Sequence, residues 1–138
     1  MKFCANGRTV ERVGLSEWER AWPWLEKSLP YIQGRANQTE LRGRIIKEDS
    51  QLWIVTGLIE GQDIGAILTT VNGPMMMVEM IGGVGLLVIL GDFLPLIERY
   101  MATTFGCKKS MVVGRMGWSK ELKRAGYCPS LVMCEKTF

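Results

Sequence analysis

Hydrophobic and polar positions along the chain follow two rhythms. Residues 8–13 (Arg-Thr-Val-Glu-Arg-Val) alternate, which predicts a short edge strand. Ser16 and Glu19 stand at the spacing of a capping box. Trp18, Trp22, Leu25 and Leu29 then share one helical face. Pro23 either kinks this helix or starts a second piece, and Pro30 ends it. After a loop over 34–38, Thr39 is positioned to cap a helix running to about Lys47. Leu41, Ile45 and Ile46 are its apolar stripe.

The rhythm next becomes β-like. Residues 51–59 read as a strand, 60–63 as a hairpin loop and 64–71 as the returning strand. Asn72-Gly73 is a tight-turn signal, and a third strand follows over 75–81. Gly82-Gly-Val-Gly85 breaks that strand, and residues 86–90 are intensely apolar. Gly91-Asp92 is read as the cap of a helix over 93–104, ended by Gly106. A strand over 110–114, a turn at 115–117, a helix over 118–125 and a last strand over 130–136 complete the chain. The order β-α-α-β-β-β-α-β-α-β predicts a single α+β domain over 1–138. Its mixed, mostly antiparallel sheet is flanked by helices. The expected core is Trp53, Ile54, Leu68, Met77, Met111, Val113, Trp118, Leu122 and Val132.

Composition narrows the chemistry. The chain of 138 residues is 47% apolar, enough for one core. It holds no histidine, so Ser-His and Cys-His nucleophiles and a histidine base are excluded. Cys4, Cys107, Cys128 and Cys134 form no CxxC, and a zinc site would need all four. Residues 1–8 are short and polar, unlike a secretory signal, so reduced, mostly buried thiols in a cytoplasmic protein are expected. The uncharged stretch from Met80 to Gly91 is too short to cross ~30 Å of hydrocarbon as a helix, so no membrane span is expected.

Net charge is only +3, but it is unevenly spread. Residues 51–100 carry one base and five acids, whereas six basic residues fall between Lys108 and Arg124. That basic stretch is either a solvated surface or a face for a phosphate-bearing ligand or acidic partner. It lacks a nucleic-acid motif and interleaved aromatics, so nucleic acid is an unlikely partner.

Several stretches are similar to one family. Gln51-Leu52-Trp53 opens a strand, Gly82-Gly83 follows the central strand, and Phe105-Gly106-Cys107 closes the long helix. Gly114-Arg115-Met-Gly117-Trp118 is followed by Leu122-Lys-Arg-Ala-Gly126-Tyr127. With the element order, these resemble the GNAT superfamily of N-acetyltransferases, and in particular a bacteriophage-encoded subgroup. The resemblance implies a sheet splayed between the strands near 75–81 and 110–115. It implies acetyl-CoA as co-substrate and an amine as acceptor, with the amine attacking the thioester directly. The superfamily's Gln/Arg-x-x-Gly-x-Gly/Ala loop, which holds the cofactor's pyrophosphate, matches Met80, Ile81, Gly82, Gly83, Val84 and Gly85. Met80 stands where the family has Gln or Arg. Glu79 occupies the place of the general base. The family's general-acid tyrosine, four residues before the Gly-aromatic pair, is replaced by Leu122. Two readings follow: an N-acyltransferase in the host cytoplasm, or a non-catalytic virion, assembly or host-interaction protein with phage or host partners.

Overall fold

The computed structural model describes residues 1–31, 37–59, 61–112 and 118–128. Strands β1 (Lys2–Ala5), β2 (Arg8–Val13), β3 (Ser50–Thr56), β4 (Asp63–Asn72), β5 (Met75–Gly83) and β6 (Lys109–Val112) form one sheet in sequence order. Neighbours are antiparallel from β1 to β5, and β6 joins β5 in parallel. The parallel pair is connected by helix α3 (Leu86–Phe105). Helices α1 (Trp18–Leu25) and α2 (Gln38–Ile46) lie between β2 and β3, and α4 (Ser119–Arg124) follows β6. This is the expected α+β domain with a mixed sheet.

The sheet separates two cores. On one face Trp53, Ile67, Met76 and Val78 meet Ile89, Phe93, Ile97 and Met101 of α3. On the other, Leu52, Ile54, Leu68 and Met80 meet Trp18, Leu25 and Leu41 of α1 and α2. Each fully buried large side chain contributes about 1.5–3 kcal/mol. β3 is therefore apolar on both faces and buried from Ser50 to Val55.

The structure corrects several sequence expectations. Residues 8–13 are not an edge strand, because β1 pairs outside them through a hairpin at Asn6-Gly7. Both turn residues have positive φ, 51° and 77°, which is why that dipeptide suits the tight turn. Ser16 and Glu19 form no capping box, since the chain reaches α1 through a 3-10 turn at Leu15–Glu17. Asn37, not Thr39, caps α2: its side chain accepts from the Thr39 and Glu40 amides.

The largest correction concerns α3. It begins at Leu86, not near Phe93, and runs through Pro95. A short apolar run does not distinguish a strand from a buried helix, and here α3 packs deeply enough to hold it helical.

Among the expected core residues, Trp53, Ile54, Leu68 and Trp118 are buried. Met77 and Leu122 are half-buried, and Met111 is 40% exposed. Met77 and Met111 sit opposite each other on β5 and β6, while α1 and α2 pack over β3 to β5. Val113, Val132, the turn at 115–117 and the strand expected at 130–136 lie outside the described residues. Cys4 and Cys128 are exposed and only Cys107 of the described thiols is buried, contrary to expectation; all three are free. No helix among the described residues is long and apolar enough to cross a membrane.

Candidate active site

Among the described residues, β5 is paired with β6 at one end, the closed end, and not at the other, the open end. At the closed end Met75 to Val78 pair with Lys109 to Val112. Beyond Val78, β5 continues to Gly83. Here glycine permits close approaches. A Cβ on Gly82 would lie 1.7 Å from the Trp24 carbonyl oxygen, so the end of α1 is pressed against β5. A Cβ on Gly65 would lie 2.7 Å from the Gly82 carbonyl oxygen.

The loop from β5 to α3 is short. The Val84 amide donates to the Ile64 carbonyl at 2.8 Å, so it is held within the sheet. Gly85 adopts φ +69°, the left-handed region, and α3 starts at once with no side-chain cap. The Val88 and Ile89 amides both turn back to the Gly85 carbonyl. Leu86 and Leu87 are the first two helical residues, so their amides have no intrahelical acceptor. They sit at the positive end of a 20-residue helix. A Cβ at Gly85 would meet no atom within 4 Å beyond its chain neighbours, so the space at the head of the helix is open there. The arrangement fits a phosphate group. Met80, in the place of Gln or Arg, is 1% exposed and packs into the α1–α2 core, and Ile81 is buried on the α3 side.

Val84, Leu87 and Val88 at the start of α3 are exposed, as are Leu58 and Ile59 in the β3–β4 loop. With Arg8, Ile64 and Gly85 most of them border a cavity of about 300 Å³ between the β3–β4 loop and the start of α3.

Glu79 sits at a bulge. Leu68 pairs with Met80 and Thr69 with Val78, which leaves Glu79 as the extra residue of β5. Its carboxylate faces α2. Arg44 Nη2 donates to Oε1 at 3.1 Å, and Arg44 Nη1 lies 3.1 Å from Oε2. Thr70 Oγ1 donates to Oε2 at 2.7 Å, and Thr70 shares a hydrogen bond with Ser50. The sequence reading missed Arg44. A signal was present: Arg44 lies within the Leu41–Ile45 stripe of α2, and Glu79 is the one acid between Asp63 and Asp92.

Tyr127 is far from this end. Its hydroxyl donates to Glu98 on α3 and bonds Ser110 on β6. Ser110 pairs with Met76, seven residues before Gly83 and hence roughly 23 Å away along the strand. Burial first, and the Glu98 carboxylate second, hold its phenol above the usual tyrosine range. Tyr127 joins α3, β6 and the end of α4. Leu122 is half-buried against the α3-side core.

This architecture is shared with known acetyltransferases. The chain is similar to a predicted acetyltransferase with acetyl-CoA from Clostridium acetobutylicum, at 10% identity and TM-score 0.68, covering 94% of this chain and 96% of that one. It is similar to a GCN5-related N-acetyltransferase from Ralstonia eutropha JMP134, at 12% identity and TM-score 0.67, covering 94% and 98%. It also matches glucosamine-6-phosphate N-acetyltransferase from Arabidopsis thaliana, at 14% identity and TM-score 0.60, covering 95% and 98%. The chain has the GNAT fold. No family model matches it, and no curated protein matches it in sequence. At identities this low, shared architecture is what these GNAT-fold likenesses establish.

Proposed function

We propose that this GNAT-fold chain is an N-acyltransferase that takes acetyl-CoA as co-substrate and an amine as acceptor. The observation that carries the reading is the uncapped start of α3, beginning at left-handed Gly85 beside the open end of β5. The matching solved structures, one of them with acetyl-CoA, support it. Acetyl-CoA supplies an acyl group already activated as a thioester. Within the loop Met80 to Gly85, Ile81, Gly82 and Gly83 shape the backbone. The amides of Leu86 and Leu87 hold the pyrophosphate in place of the Val84 amide. Exposed Lys120 and Lys123 of α4 are available to further phosphates. Glu79, the first β5 residue past the described β5–β6 pairing, takes the amine proton on a carboxylate oxygen. Leu122 has no proton to give, which makes turnover slow.

Titration calorimetry tests the reading. Acetyl-CoA should bind below millimolar concentration and more weakly as salt rises. With turnover established on an amine panel, Glu79→Gln should lower the rate ~10²–10⁴-fold and leave acetyl-CoA affinity nearly unchanged. Met80 and Leu122 favour a second reading, a non-catalytic phage virion, assembly or host-interaction protein. Absence of heat at millimolar acetyl-CoA would leave that second reading alone.

A further inference from the structure

Arg44 is an unusual occupant of its position. It faces the sheet from α2 with both Nη atoms on the Glu79 carboxylate, and each side chain is 26% exposed. Its Nε is buried and has no hydrogen-bond partner among the described residues. A buried donor without an acceptor is uncommon and costly. Glu79 has the opposite condition. Its two oxygens already accept from Arg44 and from Thr70, so both are engaged by donors and neither is left open to a substrate amine.

An acceptor that brings its own acid group resolves both conditions. If that group takes over the guanidinium, Arg44 exchanges one anion for another and its Nε edge gains an acceptor. Glu79 is left with Thr70 and with the amine beside it. We propose that Arg44 determines acceptor specificity: it selects amines that also carry an anionic oxygen group, and its transfer to that group releases Glu79. The inference rests on the reading of Glu79 as proton acceptor given above.

Calorimetry on the full chain tests this without turnover. The probes are O-phosphoethanolamine and β-alanine, with ethanolamine as the match that lacks an acid group. The two acid-bearing amines should bind saturably, and ethanolamine should not. Glu79→Gln should tighten the acid probes about tenfold, because Arg44 is no longer held. Arg44→Gln should abolish their binding, and Arg44→Lys, which keeps the charge, should retain part of it. A merely structural ion pair predicts no tightening in Glu79→Gln. Absence of saturable binding in both the native chain and Glu79→Gln would overturn the proposal, as would unchanged binding in Arg44→Gln. Acetyl-CoA titrated in parallel separates the two readings. Acetyl-CoA binding without preference for acid probes sinks this inference alone. Acid-probe binding without acetyl-CoA binding removes the acyltransferase reading and leaves an anion site at Arg44.

Discussion

The two ends of the β5–α3 unit are built on opposite principles. At the closed end polar groups are joined. Tyr127 links Glu98 to Ser110, and the Pro74 carbonyl accepts from the Lys108 and Lys109 amides. At the open end the helix starts on a glycine, no side chain caps it, and exposed Val84, Leu87 and Val88 surround the first amides. Closing polar groups on one another stabilises a fold. Leaving helix amides free costs some stability and leaves donors for a ligand. On the proposed reading, structure belongs to one end and binding to the other.

The sharpest way to break that division is at Gly82, which lies at the open end but is packed. Gly82→Ala would put a methyl group 1.7 Å from the Trp24 carbonyl oxygen, where backbone rather than a flexible side chain must yield. The expected loss is about 3 kcal/mol or more, seen as a large fall in Tm or as insoluble protein. A Tm near that of the native chain would mean that α1 is not held against β5 as described.

The closed end is tested by Tyr127→Phe. It removes the hydroxyl between Glu98 and Ser110 and should cost about 2 kcal/mol with acetyl-CoA affinity unchanged. A change in affinity would show that the two ends are coupled. The same tyrosine sets an alkaline limit. Its phenol titrates above its ordinary value in the folded chain, so its contribution is complete below pH about 10. Above that the unfolded chain ionises first, and stability falls as pH rises. Urea titrations at rising pH should show this slope in the native chain and a shallower one in Tyr127→Phe.

The closed end was easier to read from sequence than the open end. The strand, helix and strand from 75 to 112 follow from apolar runs, Gly106 and β-branched residues. The parallel pairing follows from the helix between them. The start of α3 was misread because Leu86 to Leu90 suits either a strand or a buried helix. Only tertiary packing by Ile89, Leu90 and Phe93 decides between them. The Asn6-Gly7 hairpin is legible in its turn dipeptide. The bond from Val84 to Ile64 was not legible, since it depends on how far β4 extends past its partner. Glu79 was found as a residue but not as one arm of an ion pair. The bulge that turns it toward Arg44 is a register event between β4 and β5, and neither strand's own pattern shows it.

Gly85 gives the finest test, because there folding and binding can be separated. Its φ of +69° lies where an L residue is strained, by about 1 kcal/mol for alanine. A Cβ at this position meets no protein atom within 4 Å, so no steric term is added. Gly85→Ala should therefore fold with a small drop in Tm, far less than Gly82→Ala three residues earlier. The new methyl group would nonetheless stand beside the Leu86 and Leu87 amides. Acetyl-CoA affinity should fall about tenfold, which matches a loss of ~1.4 kcal/mol in the bound state. A Tm drop with affinity intact would mean that the left-handed glycine serves only to start the helix. The free amides at the open end would then have no part in holding a cofactor.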